Sequence, residues 1–111
     1  MLNEIQEGME KISQDGLTAT HLIIRSAEKV TEHIFKPGMK RIVNLEREGC
    51  KFAGNLFGMD VYEDDSLKKD VAYLVDMRRM GDDPEEGLLI KSYEAMMTNC
   101  PKAVAEIHDL A

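Results

Sequence analysis

The chain has 111 residues, 43% of them apolar and 32% charged, with only three prolines and eight glycines. That is the balance of one folded domain able to bury about two thirds of its unfolded surface, and it excludes a disordered or linker-rich chain. A net charge of −7, from 21 acidic and 14 basic residues, argues against direct nucleic-acid binding, whose affinity comes from Lys and Arg on phosphates. It fits a basic protein partner or plain solubility. No apolar run approaches the ~18 residues of a membrane span. Met-Leu-Asn-Glu-Ile-Gln-Glu at the start lacks the basic, then apolar, layout of a signal peptide, so an intracellular, non-secreted protein is expected. The two cysteines, Cys50 and Cys100, are then expected to be reduced, and their separation makes no CxxC zinc pair.

Residues 2–15 carry the cleanest helical pattern. Leu2, Ile5, Met9 and Ile12 recur at spacings of three and four, and Asp15-Gly16 ends the run. Thr20 to Arg25 is a short apolar run suited to a buried strand. Ser26 then reads as an N-cap, with Ala27, Val30 and Ile34 on the buried face of a helix that Lys36-Pro37-Gly38 stops. Met39 to Glu48 suits a helix, although Ile42 to Leu45 would also serve as a strand. Cys50 to Ala53 reads as a strand turning at Gly54-Asn55. Phe57–Glu63 and Val71–Met77, rich in β-branched and aromatic residues, read as a hairpin closed by the polar turn Asp64-Asp65-Ser66. Asp83-Pro84 starts a helix bearing Leu88, Leu89, Ser92 and Met96, which Asn99-Cys100-Pro101 breaks. Lys102 to Leu110, with Val104, Ile107 and Leu110 at spacing three, reads as a last short helix.

The expected fold is therefore α+β. A small, mostly antiparallel sheet with strands near 20–25, 57–63 and 71–77 is packed by helices, and a helical tail follows. One domain spans 1–111, with an α/β core over 2–80 and C-terminal helices over 82–111.

The densest polar cluster is Asp60, Glu63, Asp64, Asp65 and Asp70. It lacks the spacing of an EF-hand loop, so a solvated turn that deters edge pairing explains it better than a cation site. These five carboxylates are nonetheless the candidate partner-binding residues. Asp82-Asp83 and Glu85-Glu86 are accounted for by helix capping. His21 reads as a polar residue at a strand end, His33 as exposed and His108 as near a terminus, with no nucleophile placed beside any of them. The basic pairs Lys40-Arg41, Lys68-Lys69 and Arg78-Arg79 suit salt bridges to the acidic majority. Eight methionines, including Met80, Met96 and Met97, suit flexible core filling. No catalytic residue, cofactor site or metal site is assigned.

Asn55-Leu-Phe-Gly-Met-Asp-Val-Tyr-Glu-Asp-Asp-Ser-Leu, followed by Asp70-Val-Ala-Tyr-Leu-Val-Asp76, resembles a segment of the major capsid proteins of tailed bacteriophages and the related encapsulin shells. Residues 5–24, an amphipathic helix, a glycine and a Thr-His-Leu-Ile strand before Ser26, are similar in layout to the same family, so the resemblance covers about residues 2–77. Asp60 stands where the family often has proline, and the length suits one subdomain, not a whole shell subunit. The resemblance implies a non-enzymatic structural or assembly protein of phage or prophage type, acting through a protein partner or self-association in the host cell or virion. The alternatives are a small acidic inhibitor or adaptor that binds a host protein, occupation of a basic nucleic-acid groove being one way to do so, and an enzyme or small-ligand binder with a pocket lined by His21 and the carboxylates.

Overall fold

The computed structural model describes residues 1–36, 45–77 and 101–108. Within them lie helix α1 (Leu2–Ser13) and strands β1 (His21–Ile24), β2 (Cys50–Leu56), β3 (Met59–Asp64), β4 (Ala72–Val75) and β5 (Val104–Ile107). The strands form one mixed sheet in the order β2-β3-β1-β4-β5, so the fold is α+β. β1 pairs parallel with β3, and the other three pairings are antiparallel.

The periodicity of α1 holds. Ile5 and Ile12 are buried on the stripe facing the sheet, each contributing roughly 2–3 kcal/mol of apolar burial. Gly8, which weakens the helix by propensity, lies against the sheet: a Cβ there would stand 3.3 Å from Leu74 Cδ1. The helix gives way to Gly16 at φ +75°, in the left-handed conformation that stops it.

Four expectations need correction. Phe57–Glu63 and Val71–Met77 do not form a hairpin, because β1 lies between β3 and β4 and pairs with both. All four residues of β1 are buried, and a strand apolar on both faces belongs in the middle of a sheet. The turn is also displaced. β2 runs through Gly54-Asn55 with a bulge between Phe52 and Gly54, and reverses at Phe57-Gly58. The segment after Ser26 is a 3₁₀ helix, Glu28–His33, with Val30 buried within it and Ala27 and Ile34 buried at its two ends.

The last correction concerns the C-terminal helical tail. Pro101–Ala103 is a 3₁₀ turn and Val104–Ile107 is a strand, so a helix from Lys102 is excluded over these residues. Val104 and Ile107 are three apart, as a helix requires, yet they fall on opposite faces of β5. The competing force is the exposed side of β4, whose backbone groups need partners. The expected helix at 83–98 lies outside the described residues, as does most of the segment 39–48.

Alternation divides the core in two. Leu22, Ile24, Met59, Val61, Ala72, Leu74, Ala105 and Ile107 form the face covered by α1 and the 3₁₀ segment. Ile23, Tyr62, Tyr73, Val75 and Val104 form the opposite face with Leu45, Leu67 and Met77. No helix among the described residues is long and apolar enough to cross a membrane.

Candidate functional site

On that second face a polar row crosses three strands. Strand register sets His21 opposite Asp60, and Asp60 opposite Asn55. Asn55 Nδ2 donates to Asp60 Oδ1 at 2.9 Å, and His21 Nε2 lies 3.8 Å from Asp60 Oδ2. On its other side, His21 Nδ1 is 2.7 Å from Thr20 Oγ1, and its ring stacks on Tyr62 with centroids 5.9 Å apart. His21 is 1% exposed, and Asp60 and Asp76 are 0% exposed.

A hydroxyl, an imidazole and a carboxylate in sequence is the order of a nucleophilic triad, but this hydroxyl is occupied by the fold. Thr20 Oγ1 accepts from Met77 N–H at 3.0 Å and donates to Val75 C=O at 3.2 Å, locking the start of β1 to the end of β4. Asp76 accepts from the Thr18 N–H at 3.0 Å. At 3.8 Å the His21–Asp60 approach is too long for a hydrogen bond. The row is a set of ties between strands. Sequence reasoning placed His21 at a strand end correctly and missed Thr20, Asn55 and Asp76. Their one signal is that each is a polar residue directly flanking, or inside, an apolar β run.

The five candidate carboxylates do not form one surface. Asp60 is interior, as above. Asp64 is buried too: Arg47 Nη2 reaches its Oδ2 at 3.3 Å, while Ser66 N–H donates to its Oδ1 at 3.0 Å, an Asx turn closed further by the Ser66 hydroxyl. Glu63 is half-buried and accepts from the Ala27 N–H at 2.9 Å, which anchors the 3₁₀ segment to β3. Asp65 and Asp70 are exposed, with Lys68 and Lys69, also exposed, between them. The turn therefore carries mixed charge outside and its strongest acceptors inside.

Cys50 is buried beside Asp64. Burial first, then that carboxylate, pushes its thiol up to about 11, which makes it a poor nucleophile at neutral pH. Burial likewise raises the Tyr62 phenol, partly offset by a hydrogen bond with the Leu45 backbone. His33 and His108 are exposed, the latter with Nε2 3.2 Å from Glu106 Oε1. Cys100, the pairs Lys40-Arg41 and Arg78-Arg79, and Met80, Met96 and Met97 lie outside the described residues. Among the described residues no group of three or more His, Cys, Asp and Glu is arranged to hold a metal ion.

The outer corner of the sheet offers a different kind of site. Phe35 is 70% exposed and Phe57 46% exposed, the large apolar side chains outside the core among the described residues. Phe35 pairs with Asn55 through both backbone hydrogen bonds, at 2.9 and 3.2 Å, so it lies beside β2 two positions before the Phe57-Gly58 turn. Leu56 and Met59 pair across that turn, with Phe57 at φ +51° and Gly58 at +83°. A two-residue turn with both φ positive is the type that favours Asn-Gly or Gly-Gly, because a side chain in the left-handed region crowds its own backbone. Phe57 holds an aromatic ring where the backbone disfavours one.

No family pattern matches this sequence, and no curated protein or solved structure is similar enough to it to mark a relationship.

Proposed function

We propose that this chain is a non-enzymatic structural or assembly protein of phage or prophage type, working inside the host cell or virion through protein–protein contacts. The observation that carries this is Phe57, an exposed ring kept in a positive-φ turn beside the exposed Phe35. Strain of this kind persists where the residue serves something other than the fold, and aromatic residues are enriched at the centres of protein interfaces. The resemblance of residues 2–77 to phage shell proteins supports the same class. The polar groups that would serve an enzyme, Thr20, His21 and Asp60, are engaged between strands. With Asp60 and Asp64 in the interior, only Glu63, Asp65 and Asp70 of the five candidate carboxylates are left to an acidic binder. The test is light scattering after size exclusion over a concentration series, alone and with phage or host structural proteins. Mass growth or complex formation that Phe57→Asn weakens supports the proposal; a chain that stays monomeric and binds none of them refutes it.

A further inference from the structure

Thr20 Oγ1 makes three contacts and has one proton to give. The Met77 N–H donates to it at 3.0 Å, the Val75 carbonyl oxygen lies at 3.2 Å and His21 Nδ1 at 2.7 Å. An amide N–H only donates and a carbonyl only accepts. The hydroxyl proton therefore goes to Val75, one lone pair receives Met77, and the second lone pair is left for Nδ1. All three contacts are hydrogen bonds when Nδ1 carries a proton and donates it to Thr20.

That assignment leaves the other ring nitrogen towards Asp60. Nε2 stands 3.8 Å from Asp60 Oδ2, with His21 1% and Asp60 0% exposed, and Asn55 Nδ2 donates to the other carboxyl oxygen at 2.9 Å. A bare Nε2 would turn its lone pair on a carboxylate oxygen in a dry interior, where repulsion is little screened. A proton on Nε2 makes the same approach attractive. The other groups around the ring are compatible with that charge. On β3, burial first, and Asp60 among its charged neighbours, raise the Tyr62 phenol, so a neutral ring stacks on His21 with centroids 5.9 Å apart. At that separation an aromatic face attracts a cation. On β4, the apolar Val75 pairs with His21, and Asp76, a second buried carboxyl, follows it.

We infer that His21 is held as an imidazolium between Thr20 and Asp60 at neutral pH, which makes the β1–β3 pairing a proton-dependent tie. The tie is independent of the proposed assembly contacts. Burial by itself favours the neutral ring, and the facing carboxylate outweighs it because a buried opposite pair is less costly than a lone buried charge. The fold then holds the proton more tightly than the unfolded chain does. The stabilisation is fully present below the ordinary histidine value of about 6.5 and is lost as pH rises through the folded midpoint.

The experiment follows the imidazole nitrogens of the ¹⁵N-labelled full chain by long-range proton–nitrogen correlation as pH is raised from acid to alkaline. Variants His33→Gln and His108→Gln, both at exposed positions, assign the signals. His21 should keep its Nδ1 proton throughout and titrate at Nε2 at or above about pH 7.5, a proton affinity at least tenfold that of an ordinary imidazole. Asp60→Asn, which keeps the shape and removes the carboxylate, should weaken that affinity by about tenfold or more. In urea titrations the folded-to-unfolded ratio of the unaltered chain should fall roughly tenfold, relative to Asp60→Asn, as pH rises through the same midpoint. A His21 ring neutral at pH 7, an Nδ1 without its proton, or a midpoint that Asp60→Asn leaves in place would overturn the inference. If Asp60→Asn does not fold, the spectrum of the unaltered chain decides: a charged His21 ring at pH 7 supports the tie and a neutral one overturns it.

Discussion

The strain at Phe57 can be measured without knowing any partner. At φ +51° a side chain other than Asn, Asp or Gly costs roughly 1–2 kcal/mol. About half of the Phe57 ring is covered, on the order of 100 Å² of apolar surface, or ~2.5 kcal/mol. Both Phe57→Ala and Phe57→Asn lose that burial, but only asparagine sits comfortably in the left-handed turn before Gly58. The Asn variant should therefore be more stable than the Ala variant by about 1 kcal/mol, or ~4 °C in Tm for a domain of this size. Urea unfolding followed by circular dichroism, with equal slopes in the two variants, reads the difference directly. At an ordinary exposed position alanine matches or exceeds asparagine. An Ala variant as stable as the Asn variant would mean that the turn is relaxed and that Phe57 carries no stored cost.

Three further perturbations bear on the interior. Cys50, raised to about 11, should react with iodoacetamide at pH 8 roughly 100-fold more slowly in the folded chain than in urea, where an ordinary thiol is partly ionised; equal rates would show that the site is open. Asp60→Ala takes away the acceptor for Asn55 Nδ2 and the carboxyl facing His21, and should cost about 2–3 kcal/mol in urea titrations, with Asp60→Asn costing less. A loss below ~1 kcal/mol for the alanine variant would remove the polar row from the list of strand ties. Gly54→Ala places a Cβ 2.5 Å from Ile34 Cγ2 and 2.7 Å from the Phe35 carbonyl oxygen at φ +132°, so a loss of about 2–3 kcal/mol and detachment of Phe35 from β2 are expected. Wild-type stability there would place the bulge elsewhere.

Local pattern was enough for α1 and for the existence of β1, β3 and β4 as strands. The apolar spacing of Leu2, Ile5, Met9 and Ile12, and the run His21 to Ile24, have one reading each, and both held. What the pattern does not contain is pairing. Two strands close in sequence, β3 and β4, look like a hairpin until a third strand that is apolar on both faces needs two neighbours; β1 takes the place between them. Val104 to Ile107 shows the same limit at smaller scale, since four residues satisfy either period and the free side of β4 decides. The acidic cluster misled for a related reason. Asp60 and Asp64 look solvated when counted along the chain, but alternation turns both, with Tyr62 between them in sequence, onto a buried face where Asn55, Arg47 and Ser66 receive them. Phe57 carried a usable signal. Phe-Gly in a two-residue connection between β runs is poor turn chemistry, and a poor local choice marks a functional candidate.

The polar row also explains how an unusual pairing is kept in place. β1 and β3 are parallel neighbours far apart in sequence, and their apolar residues alone would tolerate several registers. A one-residue slip of β1 would carry His21 opposite Met59 or Val61 and bring Asp60 opposite Leu22 or Thr20. It would also pull Thr20 away from the Val75 carbonyl and the Met77 amide. Each displaced polar group would be left in the interior at roughly 1–3 kcal/mol, so only the observed register satisfies all of them. With β1 fixed between β3 and β4, the two outer strands are fixed as well. The Phe57 turn stands at the end of β2 and β3, and the Val104–Ile107 edge stands on the far side of β4. The buried histidine and carboxylates thus act through the strand order, by holding the Phe57 turn and β5 on opposite sides of β1 in one sheet.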